Sequence, residues 1–159
     1  MSTAKKAEYT QLLTQARTEL KGFITSLSDQ QLTTPVISDG GTWTVLDVLA
    51  HLAENERGMS IHVYKIRNGR GTVPEGFQIN EWNAGLKERM GSPTLPELLD
   101  MLDETRAQTL ETMQSLGDEE WTLTGRHPVQ GIITIEQYYR TMANHDREHL
   151  ADIKRGLGL

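Results

Sequence analysis

The sequence predicts an all-α protein, a four-helix bundle with a long crossover between its second and third helices. Three observations carry this. Four stretches space their apolar residues by threes and fours, three of them open on a threonine cap, and the glycine- and proline-rich residues 69–93 separate the second from the third. No β-rich alternation competes with the helical pattern. At 159 residues, 1–159 reads as one domain with a real core.

The first helix is expected over about 4–27, where Tyr9, Leu12, Leu13, Ala16, Leu20, Phe23, Ile24 and Leu27 form one apolar face. The second opens at Thr44, with Asp47 three residues on and Trp43 placed to pack on Val48, and runs to about Asn68. The connection contains Gly69, Gly71, Pro74, Gly76, Gly85, Gly91 and Pro93, with a short helix expected around 79–90. Thr94 and Glu97 cap the third helix, which carries Leu98, Leu99, Met101, Leu102, Leu110 and Met113 and stops near Gly117. Thr134 and Gln137 repeat that cap, Ile133 and Tyr138 take the flanking apolar positions, and the fourth helix ends by 156–158.

The chain also resembles itself. Ser26-Leu-Ser-Asp-Gln-Gln-Leu-Thr33 matches Ser115-Leu-Gly-Asp-Glu-Glu-Trp-Thr122, and each lies 18 or 19 residues before the threonine cap of a helix that bears histidine. Two related halves are therefore expected. A connection as long as the one between them permits two helices to run parallel, and such bundles build metal sites from side chains on facing helices.

Composition narrows the function. Hydrophobic residues make up 36% of the chain, roughly 45% with its 14 glycines, the ordinary range of a soluble globular protein. No apolar leader or membrane-length run is present, so a cytoplasmic protein with no membrane partner is expected. A net charge of -6 argues against nucleic acid as partner. Without cysteine, the protein supplies neither a thiol nucleophile nor a thiolate ligand, and any sulfur chemistry must use a small-molecule thiol.

The candidate chemistry lies in His51, His145 and His149. His145 and His149 are separated by one helical turn, about 40° around the axis and about 6 Å along it, so both rings can reach one ion. On the second helix, Asp47, His51 and Asn55 form a polar stripe on a mostly apolar segment, and Asp152 continues the stripe of His145 and His149. Asp47, Asn55 and Asp152 are the candidate hydrogen-bond partners behind the ligands. The competing reading makes each histidine an ordinary surface or hydrogen-bonded core residue. His62 lies about 16 Å along the helix from His51, too far to share an ion. His127, in Gly125-Arg-His-Pro-Val, is expected as an exposed loop histidine, with a place at the bundle mouth as its alternative, and Glu54 and Glu148 as solvated carboxylates, either of which becomes a base if the helix turns it inward.

The runs Gly41-Thr-Trp-Thr-Val-Leu-Asp-Val-Leu-Ala-His-Leu-Ala-Glu-Asn-Glu56 and Asn144-His-Asp-Arg-Glu-His-Leu-Ala-Asp-Ile153 resemble the DinB-like (YfiT-type) four-helix family. They also resemble the metal-binding N-terminal domain of mycothiol-dependent maleylpyruvate isomerase. The resemblance spans essentially the whole chain. It implies an up-down-down-up bundle, one divalent metal, and ligands at His51, His145 and His149. The isomerase branch has Glu-x-x-x-His where this chain has His145, and it carries a further C-terminal domain. This chain fits the three-histidine pattern instead. A homodimer is expected by the same analogy, with Phe77 and Trp82 either contributing to it or covering the core of their own chain.

Three imidazoles leave an ion with an open position, as in catalytic zinc sites. Zinc is the favoured ion, and nickel and iron also suit nitrogen ligands. The leading expectation is a small-thiol transferase or isomerase acting on a small-molecule substrate. The alternatives are a hydrolase of an ester, lactone or amide, and a noncatalytic binding protein. No catalytic base is identifiable from the sequence.

Overall fold

Three of the four long helices start at the threonines that the sequence marks. In the computed structural model, which describes residues 2–159, the helices are α1 (Ser2–Ile24), α2 (Asp29–Leu32), α3 (Val45–Arg67), α4 (Ile79–Ala84), α5 (Leu86–Met90), α6 (Leu95–Gln114) and α7 (Ile135–Gly156). Thr44, Thr94 and Thr134 each accept the N–H three residues on, while Asp47, Glu97 and Gln137 reach back to the threonine N–H. The expected short helix of the crossover is present as α4 and α5.

Two small hairpins accompany the otherwise helical fold. Strand β1 (Pro35–Ser38) pairs antiparallel with β2 (Gly41–Thr44), and β3 (Thr124–His127) with β4 (Gly131–Thr134). Four-residue strands are too short to show alternation. The turn of the first hairpin was nevertheless written in the chain: Asp39 and Gly40 take φ of 49° and 73°, both left-handed, as a two-residue Asp-Gly turn requires.

Side-chain pairs give the helix directions. Lys5 bonds Glu136 and Arg17 bonds Asp146, so α1 and α7 run parallel. Glu56 bonds Arg106 and Arg67 bonds Ser115, so α3 and α6 run parallel. His51 lies beside His149, and His62 beside Tyr138, so α3 and α7 are antiparallel. The order is up-down-down-up, with α1 opposite α3 and α6 opposite α7 across the square.

The helices meet around four buried charges. Arg17 and Arg106 each bond both Glu56 and Asp146, with Arg17 Nε–Asp146 Oδ2 at 2.9 Å, Arg106 Nε–Glu56 Oε1 at 2.7 Å and Arg106 Nη2–Asp146 Oδ2 at 3.0 Å. Arg17 also donates to the Leu102 carbonyl and Arg106 to the Leu13 carbonyl. Burial alone would raise the Glu56 carboxyl, but Arg17 and Arg106 overcome it and hold Glu56 below the usual range. This charged layer separates two apolar clusters, one around Leu20, Val48, Leu49 and Leu102, the other around Tyr9, Val63, Trp121 and Tyr138.

The layer also reveals the repeat. Arg17 and Arg106 lie 89 positions apart, as do Leu13 and Leu102, while Glu56 and Asp146 lie 90 apart. The added position is the longer turn of the second hairpin. Each hairpin packs on the last turns of the other half's long helix. Val36 occupies the space a Cβ on Gly156 would need, at 2.4 Å, and Ile66 occupies that of Gly125, at 2.5 Å. The large and small partners are exchanged between the halves.

Removing one charge of a buried cluster leaves its partners unpaired, at about 3–5 kcal/mol. Arg17→Ala is therefore expected to lower stability in urea unfolding by about that amount. Lys21→Ala, which breaks the exposed pair with Asp103, is expected to cost under about 1 kcal/mol; similar losses in both would refute the assignment.

Candidate metal centre

His51 stands two turns into α3, fixed by the Thr44 cap, and His145 and His149 stand one turn apart on the facing stretch of α7. Their ring centroids lie 5.0 Å (His51–His149), 5.3 Å (His145–His149) and 6.3 Å (His51–His145) apart. The three rings are therefore neighbours, with His145 outside the group whose donor atoms converge most closely. Asp39 joins them from the turn of the first hairpin, its Oδ2 lying 2.8 Å from His51 Nε2 and 3.5 Å from His149 Nε2. Asp39, His51 and His149 each offer a ligand atom within 4.8 Å of the others, a spacing that could hold a metal ion.

The groups behind the rings set their tautomers. Ser38 Oγ donates to Asp152 Oδ2 at 2.8 Å and lies 2.7 Å from His149 Nδ1. Having spent its single hydrogen on Asp152, Ser38 accepts from His149 Nδ1–H, which leaves the Nε2 lone pair of His149 facing Asp39 and His51. Arg155 steadies Asp152 from outside, at 2.7 Å. Asn55 Nδ2 lies 2.9 Å from His51 Nε2, and the Trp43 ring packs on His51 at 4.6 Å. Asp152 stands behind His149, whereas Asn55 lies nearest the same His51 Nε2 that faces Asp39, not the atom behind it. Asp47 stands behind neither ring: its carboxylate folds back 3.1 Å onto the Thr44 N–H as part of the cap, and it makes no bond to His51.

Burial, reinforced by the charge of His51, pushes His149 down to about 4, and the same two causes lower His145. Both are neutral near pH 7, the form that ligates. The hydrogen bond with His51 holds Asp39 down at about 2, against the opposing effect of burial. His145 Nδ1 is buried without a hydrogen-bond partner, an atom that a bound ion would satisfy. Nitrogen and carboxylate donors on this spacing fit a divalent metal.

A cavity of about 770 Å³ extends from this cluster along the groove between α3 and α7. His51, Asn55, Met59 and His62 form one wall, Thr141, Asn144, His145 and Glu148 the other, and crossover residues between Thr72 and Asn83 form the roof. Phe77 and Trp82 belong to that roof, while Arg89 stacks 3.7 Å over Trp82 and bonds Glu54 at 2.7 Å, tying the crossover to α3. Glu54 is thereby paired, and Glu148 remains an exposed carboxylate at the rim. His127 takes the alternative of its two readings: it is not an exposed loop residue but faces the cavity. It ends β3, is 8% exposed, and lines the cavity opposite the metal cluster, because hairpin pairing turns it inward.

Ser38 and Asp39 are the site residues that the sequence reading missed. The Asp-Gly pair at 39–40 was the available signal, since it marks a hairpin turn that projects the aspartate.

Residues 12–153 match the DinB superfamily. The chain belongs to that superfamily. Among relatives, it is 25% identical to YfiT of Bacillus subtilis, for which a metal-dependent hydrolase activity has been proposed, over 99% of this chain and 89% of YfiT. The solved YfiT structure, described as an unusual four-helix bundle, superposes with a TM-score of 0.75 at 26% identity, covering 96% of this chain and 87% of that one. OB0782 of Oceanobacillus iheyensis, with the same proposed activity, is 26% identical over 84% of this chain and 75% of its own length. The four-helix bundle protein TT2238 shares the fold, with a TM-score of 0.69 at 23% identity, covering 94% of this chain and 98% of its own. No helix among the described residues of this DinB-superfamily chain is long and apolar enough to cross a membrane.

Burial, with smaller contributions from His145 and His62, lowers His127 from 6.5 to about 4. The folded state therefore binds fewer protons than the unfolded state between these values. The resulting stability is complete above pH 6.5 and is lost as pH falls towards 4. In chelator-treated protein, His127→Gln is expected to lose roughly 1–3 kcal/mol less than the parent chain across that window in urea titrations. Equal losses would show that His127 is not held neutral by the fold.

Proposed function

We propose that this chain is a divalent-metal-dependent hydrolase that cleaves an ester, lactone or amide. The observation that carries the reading is the convergence of a hairpin turn, α3 and α7 on one point at the floor of a large cavity. The activity proposed for YfiT and OB0782 supports it. His51 and His149, from that convergence, are two of the proposed ligands, and His145, whose buried Nδ1 lacks a hydrogen-bond partner, is the third. Zinc is the first candidate, with nickel and iron next. A bound divalent ion supplies a Lewis acid and lowers the pKa of water towards ~7.

The chain's own residues supply orientation. Ser38 and Asp152 hold the His149 ring with its Nε2 lone pair exposed to the site. Asp39 sits on the hairpin tip, 42% exposed in its side chain, and stays ionised. It is placed to accept a hydrogen bond from the attacking water and orient it. The cavity walls exclude competing solvent and hold the acyl group. Thiol transfer is less well supported: the described lining residues include Asp39, Glu54 and Glu148 but no lysine or arginine to receive a carboxylate-bearing thiol.

Protein purified without a histidine tag is expected to carry about one metal per chain, by elemental analysis, and to hydrolyse simple aryl esters or lactones without added thiol. His51→Ala and His149→Ala should lose the metal, and Ser38→Ala should weaken its binding by about 10–100-fold. Asp39→Asn should retain the metal and lower kcat by about 100-fold. Turnover that survives chelation would overturn the reading, and loss of metal from Asp39→Asn would make Asp39 a ligand instead.

A further inference from the structure

The end of the cavity away from the metal cluster is built from the same positions of the repeat. His127 closes β3 opposite Gly131 as Ser38 closes β1 opposite Gly41. His62, on α3, stands 90 positions before Asp152 on α7. The Ser38 and Asp152 pair behind the metal cluster thus has its counterpart in His127 and His62, which flank the Tyr138 ring at centroid distances of 5.5 and 5.9 Å. The two ends of the cavity are two versions of one hairpin-on-helix junction.

Hydrogen bonding fixes what His127 presents. Its Nδ1 accepts the N–H groups of Val129 and Gln130, at 3.1 and 3.2 Å. The proton of the neutral ring therefore sits on Nε2. Among the described residues that Nε2 has no hydrogen-bond partner, and it is not one of the sealed, unpaired polar atoms, so it opens on the cavity. Gln130 is tied to Thr141 at 2.9 Å, which steadies the loop that holds the ring. Tyr138 gives its own hydrogen to the Arg126 carbonyl at 2.9 Å, so it does not occupy His127 as a donor.

We propose that His127 is a specificity-determining residue, whose Nε2–H receives a neutral carbonyl or amide oxygen at the far end of an elongated substrate cleaved beside His51. The proposal rests on the hydrolase reading above. His62 lies about 16 Å along α3 from His51, which sets the scale of such a substrate. Between the ends the walls are mixed, with Met59, Val73, Pro74 and Phe77 supplying apolar surface and Asn55, Thr141 and Asn144 neutral polar groups. Among the described residues no lysine or arginine lines the cavity, and three carboxylates do, so a neutral oxygen is favoured over an anionic one.

The test uses zinc-loaded protein and hydroxamates, which chelate the metal without being cleaved, with affinities read by calorimetry. Acetohydroxamate probes the metal end alone. Medium-chain alkyl hydroxamates of graded length, ending in methyl, carboxamide or carboxylate, probe both ends. At one chain length the carboxamide is expected to bind about five- to tenfold tighter than the methyl compound, and the carboxylate no tighter than methyl. His127→Phe should abolish the carboxamide advantage while leaving acetohydroxamate affinity unchanged, and His127→Gln, which keeps a donor, should retain part of it. Unchanged acetohydroxamate binding also shows that each variant is folded. A carboxamide no better than methyl at any length, or an advantage that survives His127→Phe, overturns the proposal and leaves the metal reading standing. Failure of acetohydroxamate to bind the zinc-loaded parent chain would instead overturn the metal reading, and this proposal with it.

Discussion

Four charges at the centre of the bundle, Arg17, Glu56, Arg106 and Asp146, constrain everything around them. Each arginine touches both carboxylates and the backbone of the opposite arginine's helix, so all four long helices are fixed at one level. Slipping any helix by a turn would strand a charge in the core, which is far more costly than losing an apolar contact. The layer therefore sets register in a bundle whose apolar faces alone would tolerate alternatives. Asp146 follows His145 directly, and Glu56 follows Asn55, so the same constraint positions the imidazoles of α3 and α7 against each other.

Around that frame the hairpins deliver side chains to the two ends of the cavity. Each is anchored by a close contact at the end of the other half's helix, Val36 on Gly156 and Ile66 on Gly125. The first anchor delivers Ser38 and Asp39 to His149 and His51. The second delivers His127 to the other end of the same groove. The crossover, clamped to α3 through Arg89 and Glu54, closes the groove into a cavity. The two halves have thus diverged in chemistry while keeping one geometry: metal-compatible donors at one end, neutral hydrogen-bonding rings at the other.

Much of this was legible in the chain. The threonine caps at 44, 94 and 134 placed three helix starts, because a capping box is a local signal that tertiary structure rarely overrides. The i, i+4 spacing of His145 and His149, with the polar stripe at His51, located the histidine cluster. The hairpins were not legible from periodicity, since four residues hold no usable alternation, although Asp39-Gly40 named the turn. Nor was the charged layer, because an arginine at an apolar position looks like an imperfection until its equivalent in the other half is recognised. In the sequence Asp47 suits both a cap and a histidine partner, and a single carboxylate satisfies only the nearer claim.

In the proposed site, three helix-borne imidazoles hold one metal on the floor of this cavity. Anomalous diffraction from crystals of the zinc-loaded chain, collected on both sides of the zinc edge, tests it most directly. One strong peak is expected within coordination distance of His51, His145 and His149, with Asp39 facing it. No peak there, with Asp39 still bonded to His51, would contradict the proposed site.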